Sequence, residues 1–336
     1  MGEATKIQWA HDTFNPWRGC TKISDGCTHC YADTMAKRNP AVLGIWGDNG
    51  TRVFASEAKW KEPLKWNKEA RMAGERRRVF CASMADVFED WDGPMVSHKG
   101  LPYWWCKGSI SNSPIPSTGL GEGCRLMTMR DVREHLCELV WDTPHLDWLL
   151  LTKRIENAAR LLWEMGFINS PLTNYWLGTT TENQEQADKR IPILLKTPAP
   201  IRWLSMEPLL GPVNLNALNC VGEPGEGGEE GFYRDCLSGR DWHPEWECGE
   251  SWSGPLINWV IVGGESGPKA RRCDLGWIRS IVDQCRAAGV PVFVKQLGTV
   301  WARENGARDN HGGDPDEWPS DLRVREFPQP VASEAT

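Results

Sequence analysis

Cys20, Cys27 and Cys30 form a C-x6-C-x2-C array in the stretch NPWRGCTKISDGCTHCYA, residues 15–32. Gly19 and Gly26 each stand directly before a cysteine, where a backbone free of Cβ can turn sharply and approach an inorganic core. Three thiols on one short loop suit a single metal site better than three separate packing roles. Three chemistries compete. The C-x2-C half fits a structural zinc site, with His29 or His11 as the fourth ligand. A disulfide suits an odd trio badly. A [4Fe–4S] cluster on three cysteines leaves one iron open to a substrate or cofactor.

A second group of reactive side chains follows short apolar runs. RVFCA leads to Ser83 and Asp86, and HLDWLLLT to Lys153 and Arg154. WLGTTT leads to Glu182, RWLSM to Glu207, WVIV to Gly263, Gly264 and Glu265, and PVFV to Lys295. If the runs are parallel strands, these residues share the carboxyl-end rim where β/α folds bind ligands. The alternative is mutual salt bridging that merely solubilises the rim.

The elements that must position these groups alternate. Apolar runs of strand length are separated by helical patterns at Tyr31–Arg38, 132–140, 155–165, up to about Leu195, and 275–288. The fold class is therefore α/β: a partial or closed parallel β/α barrel, TIM-barrel-like, of about six to seven strands, the first near Thr13–Trp17. A single domain covers 1–303, with insertions at about 91–125 and 216–256, and 304–336 is a polar, loosely packed tail. The Trp-rich stretch with Trp46, Trp60 and Trp66 carries no assigned element. GGESG is not a dinucleotide fingerprint.

With 336 residues, 40% hydrophobic and 25% charged, the chain has an ordinary globular composition. It carries no apolar stretch of membrane-spanning length and no apolar signal core in its first twenty residues, so a cytoplasmic protein with no membrane partner is expected. A net charge of −7 gives no general grip on a phosphate backbone. The basic runs Arg76–Arg78 and Lys269, Arg271, Arg272 read as solvated faces. Twelve cysteines in a reducing compartment argue for metal ligation or buried thiols over a disulfide framework. Cys106, Cys124, Cys220, Cys236 and Cys248 fall in the insertions and are candidates for a second metal site, zinc or an auxiliary cluster, against free thiols. Cys81, Cys137, Cys273 and Cys285 read as packing residues.

The loop and the blocks SMADVF, HLDWLLLTKR, WLGTTTENQ, RWLSMEPLLGPV, WVIVGGESG and PVFVKQLG together resemble an uncharacterised phage and prophage family with a three-cysteine motif. More broadly, the chain is similar to radical S-adenosylmethionine enzymes. That resemblance implies a [4Fe–4S] cluster on Cys20, Cys27 and Cys30, with S-adenosylmethionine on the open iron and a 5′-deoxyadenosyl radical as the reactive product. It also implies a flavodoxin- or ferredoxin-like electron donor and a host-cytoplasm location if phage-encoded. It does not supply the substrate, for which a nucleobase, nucleotide or nucleic acid is the leading candidate. The superfamily's spacing is C-x3-C-x2-C with an aromatic residue before the third cysteine. Here six residues separate the first pair, and His29 stands in the aromatic position as a candidate adenine contact. On chemical grounds Lys153 or Arg154 would pair with the methionyl carboxylate, and Glu182 or Glu207 would hold ribose hydroxyls. Ser83, Asp86, Gly263, Gly264, Glu265 and Lys295 complete the candidate cofactor site. The competing function is a non-catalytic, zinc-stabilised module that binds nucleic acid or a protein.

Overall fold

The computed structural model describes residues 5, 7–106, 109–111, 123–168, 172–219, 233–242, 250–251 and 256–329. Among these, the strands Asp12–Phe14, Arg77–Cys81, Leu146–Thr152, Tyr175–Thr180, Ile201–Met206, Trp259–Gly263 and Val292–Gln296 form a seven-stranded sheet in chain order. Its first and last strands are edges, so the mixed α/β fold is consistent with a partial parallel β/α barrel rather than a closed one. The strands are near-continuous apolar runs because a parallel sheet of this kind is buried on both faces. Leu146, Trp148, Leu149 and Leu150 are all fully buried. The chain packs as two units, residues 1–175 and 176–336.

In the first unit the opening three strands pair in parallel. The strand expected near Thr13–Trp17 is split. Asp12–Phe14 stays in the main sheet, while Trp17–Arg18 pairs antiparallel with Arg52–Phe54 in a separate three-stranded sheet. The break falls at Asn15-Pro16, where proline supplies no ladder N–H. The expected helix Tyr31–Arg38 is present, and 155–165 is a 3-10 turn, Ile155–Asn157, followed by the helix Ala158–Glu164. The Trp-rich stretch contains a 17-residue helix, Glu57–Ala73, which buries Trp60 and ends at Gly74 in the left-handed conformation. The run Arg76–Arg78 is not a solvated face. Arg76 pairs with Asp147 at 2.7 Å, and Arg77 with Asp12 and Glu69, each at 2.8 Å. Entry into the second strand turns these side chains toward carboxylates on both neighbouring strands and on the preceding helix.

Within the first expected insertion, Trp104–Cys106 pairs antiparallel with Ser109–Ser111 and Cys124–Leu126. Cys106 and Cys124 are directly opposed across this ladder, with Cα atoms 4.2 Å apart, and are joined as a disulfide. This corrects the expectation of metal ligands or free thiols for that pair. Closely opposed strand positions bring two cysteine side chains within bonding reach. Cys220 and Cys248 lie outside the described residues, and the buried Cys236 thiol donates to the Leu215 carbonyl at 3.3 Å.

The second unit holds the remaining strands, with parallel pairing from Tyr175–Thr180 through Val292–Gln296. The helices Gln184–Lys196 and Leu275–Ala288 match their expected positions; Asn183 and Asp274 side chains cap their first turns. Leu218–Asn219, Tyr233–Asp235, Arg240–Trp242 and Glu250–Ser251 form a small antiparallel sheet in the second expected insertion. Up to residue 329 the tail is not loosely packed. Trp318, Leu322 and Val324 are buried, Val294 N–H donates to Val324 O at 2.9 Å, and Glu326 N–H donates to Val292 O at 3.0 Å. The tail thereby covers the open edge of the last strand, which outweighs its polar composition.

Candidate functional site

The cysteine loop of the first unit is stitched to the turn after the second strand. Asn15 Oδ1 accepts from Met84 N–H at 2.7 Å, and its Nδ2 donates to Ser83 Oγ at 3.1 Å. Gly19 N–H donates to Met84 O at 3.0 Å, and Tyr31 Oη donates to Ser83 O at 2.8 Å. Gly19 has φ +122, and a Cβ there would lie 2.4 Å from the Thr51 carbonyl oxygen. Only glycine fits that approach. Cys20, Cys27 and Cys30 are free and half-buried. Cys30 stands at the start of the helix Tyr31–Arg38, and half-buried His29 precedes it.

Beneath the first cysteine lies a buried charge network whose members are far apart in sequence. Arg52, fully buried, donates through Nε and Nη2 to the two oxygens of Glu89 at 2.7 and 2.8 Å. Glu89 Oε1 also accepts from Thr21 N–H at 2.8 Å. Arg154 Nη1 donates to Asp86 at 3.0 Å and lies 3.6 Å from Cys20 Sγ. Its Nη2 donates to Thr21 O at 2.6 Å and lies 3.4 Å from Glu89 Oε1. Asp86 accepts further from Thr152 Oγ1 at 2.7 Å and Phe88 N–H at 3.0 Å. Two cations and two carboxylates thus balance out of water, as buried charges must. They clamp both the N–H and the C=O of Thr21, the residue after Cys20.

This clamp sets the local electrostatics. Burial, with Asp86 and Glu89 adding to it and Arg154 opposing, pushes the Cys20 thiol up to about 12. Burial alone would lower Arg154, but Asp86, Cys20 and Glu89 outweigh it and hold the guanidinium charged. Cys20 therefore becomes a thiolate only when a cation or metal takes the proton's place. Among the described residues no three His, Cys, Asp or Glu side chains are grouped so as to hold one metal ion. In a [4Fe–4S] cluster each cysteine binds a different iron, so its thiols need not crowd around one point. Cys20, Cys27 and Cys30 are thiol donors of the chemical type such a cluster takes, and Cys20 faces a buried arginine.

Of the sequence candidates in this unit, Ser83 and Arg154 meet the cysteine loop and Asp86 reaches it through Arg154, while Lys153 is half-buried beside them with its N–H 3.3 Å from Asp86. Arg52 and Glu89 escaped the sequence reading. Neither directly follows an apolar strand, and a buried ion pair spanning 37 residues leaves no local pattern.

The candidates of the second unit are ion-paired. Glu182 is fully buried and bonded to Arg190 at 2.8 Å, from the helix that follows it. Arg190 also donates to Thr180 O at 2.7 Å, tying the helix back to its strand end. Both oxygens of Glu265 are bonded to Arg271, at 2.6 and 2.8 Å. Arg271 thus pairs rather than presenting a solvated basic face. Glu207 Oε1 stands 3.1 Å from Lys295 Nζ, yet it is buried and makes no hydrogen bond. A Cβ on Gly263 would come within 2.7 Å of that oxygen, and one on Gly264 within 2.4 Å of Leu297 O. The two glycines admit Glu207 and the last strand's exit loop.

No curated protein and no solved structure matches the chain. A family model does, over residues 4–95 and 127–320. That match takes in the cysteine loop, the charge network and all seven strands of the sheet, so the chain belongs to the family described as protein of unknown function DUF5131.

Proposed function

We propose that the chain is an iron–sulfur enzyme of the radical S-adenosylmethionine type, its cluster held by Cys20, Cys27 and Cys30, acting on a nucleobase or nucleotide. The observation that carries this reading is the set of three free thiols on one loop, with the residue after Cys20 clamped through both backbone groups. When bound, such a cluster would supply one-electron reduction of S-adenosylmethionine, drawing on a flavodoxin- or ferredoxin-like donor.

The protein's own residues act around that chemistry. Arg154 sets a fixed positive charge beside Cys20, which favours the thiolate needed for ligation. The half-buried His29 offers a planar ring next to Cys30 for the adenine. Lys153, half-buried and adjacent to the network, is the cation assigned to the methionyl carboxylate. Arg154, with its donors on Asp86 and Thr21, is not.

The test is anaerobic purification and reconstitution, then iron and sulfide analysis. The wild-type protein is expected to carry about four of each per chain. Cys20→Ala, Cys27→Ala and Cys30→Ala lose them, while Cys81→Ala, at a buried packing position, retains them. Incubation with S-adenosylmethionine and a strong reductant then yields 5′-deoxyadenosine. A colourless protein that takes up stoichiometric zinc and no iron refutes the proposal in favour of a zinc-stabilised binding module.

A further inference from the structure

We infer that Arg154 is a potential-setting residue for the cysteine-bound group, and that Asp86 and Glu89 are there to aim it. The inference rests on the proposed cluster and adds a role that lies outside substrate binding. Arg154 comes from the exit of the third strand, 134 residues after Cys20, yet its Nη1 lies 3.6 Å from Cys20 Sγ, within reach of a hydrogen bond to sulfur. The side chain is 9% exposed, so water screens this contact little. Its other donors are fixed: Nη1 also faces Asp86, and Nη2 holds Thr21 O and faces Glu89. Glu89 is in turn held by the fully buried Arg52, whose guanidinium carbon stands 4.9 Å from the Trp91 ring centroid. A guanidinium gripped on several sides cannot swing away from the sulfur.

Hydrogen bonds and positive charge at the ligating sulfurs stabilise the reduced, more negative state of an iron–sulfur centre and so raise its potential. Asp86 and Glu89 act in the opposite sense as charges, but each is bonded to an arginine. Arg154 supplies the side-chain contact to Cys20 Sγ from this network, and the Thr21 carbonyl accepts from the same sulfur at 3.4 Å. The arrangement therefore couples the electronic state of the site to a buried ion-pair chain rather than to solvent.

The experiment compares wild type, Arg154→Lys, Arg154→Gln and the double variant Asp86→Asn/Arg154→Gln. The double variant avoids leaving a carboxylate buried without its cation. Each is reconstituted anaerobically and read in two ways: iron and sulfide per chain, and midpoint potential by redox titration followed by electron paramagnetic resonance. The expected result is iron retained in every folded variant. The midpoint shifts to lower potential in Arg154→Gln and in the double variant, and Arg154→Lys lies between these and wild type. Arg160→Gln, at an exposed ion pair with Asp90, leaves the midpoint unchanged. Iron-loaded Arg154→Gln or double variant with the wild-type midpoint overturns the inference. So does loss of iron from all three Arg154 variants, including the double variant, which would make Arg154 a folding or assembly residue. Failure of the wild-type protein to load iron overturns the proposed function itself, and with it this role.

Discussion

Glu89→Gln tests whether the charge network holds the cysteine loop. The substitution keeps the side chain's size and one acceptor oxygen but removes the negative charge that faces Arg52. Arg52 has no exposure to solvent, so it cannot recover the lost interaction by hydration. Removing one partner of a buried pair costs about 3–5 kcal/mol, because the other charge is left uncompensated. Glutamine still accepts one hydrogen bond, which places the expected loss near the lower end, about 3 kcal/mol. For a unit of this size each kcal/mol moves the melting temperature by about 2–4 °C, so the midpoint should fall by about 6–12 °C.

The matched comparison is Asp90→Asn, one residue along, which removes the partner of Arg160 at an exposed site. Exposed pairs contribute about 0–1 kcal/mol, so that variant should melt close to wild type. Thermal unfolding followed by circular dichroism separates the two. Limited proteolysis adds a local readout, since cleavage near Thr21 should accelerate in Glu89→Gln before global melting. The double variant Arg52→Met/Glu89→Leu removes both charges and should cost less than the sum of the two single changes. If Glu89→Gln and Asp90→Asn shift the midpoint equally, the network does not stabilise the fold as argued.

Three further outcomes follow from other parts of the chain. Gly19→Ala places a Cβ against the Thr51 carbonyl at a positive φ and should cost about 1–3 kcal/mol by thermal melt, whereas Gly74→Ala, with open space around it, pays only the backbone penalty. Burial pushes the Asp131 carboxyl up, but its bonds to Arg125 and to the Thr128 backbone and hydroxyl outweigh this and hold it below the usual range. Its contribution is therefore complete above about pH 4, the unfolded value, and is lost as pH falls through the lower folded value. Asp131→Asn should flatten the acid side of a stability–pH profile measured by urea unfolding. Ending the chain at Gly306 removes Trp318, Leu322 and Val324 and uncovers the edge Val292–Gln296, so the truncated protein should melt lower and self-associate in light scattering.

The strands were legible because a sheet buried on both faces writes itself as unbroken apolar runs. WVIV at Trp259–Val262 is the clearest, and its four residues are fully buried. The helices Tyr31–Arg38 and Leu275–Ala288 were legible from a stop at Asn39-Pro40 and from Gly289 with φ +70. The helix Glu57–Ala73 was not, because Pro63 sits inside it and its buried residues, Trp60, Pro63 and Ala70, make too thin a stripe. It is held instead by packing of Trp60 against Phe14 and Phe54. The tail misled through composition: its polar residues surround a few large side chains that decide where it lies. Trp318, with Nε1 bonded to Gly312 O at 2.9 Å and Arg325 over its ring, is the main one.

The candidate site shows why position after a strand is a necessary but weak criterion. Glu182 and Glu265 follow their strands as expected, yet each is paired with an arginine six to eight residues further along the same loop or helix. Such a local pair fixes the turn between a strand and its own helix, and the short separation makes it easy for the fold to form. The Asp86–Arg154 and Glu89–Arg154 pairs span 68 and 65 residues, and Arg154 reaches Cys20 across 134. No single turn needs those contacts. They join the loops that follow three successive strands, and their shared backbone target is Thr21. Long-range buried pairs are costly to assemble, since two ions must leave water before either finds the other. A fold that needed only stability would gain as much from apolar packing at the same places. The physical case for chemistry at the cysteine loop therefore rests less on the number of acidic residues along the strand ends than on which of them reach across the unit to hold it.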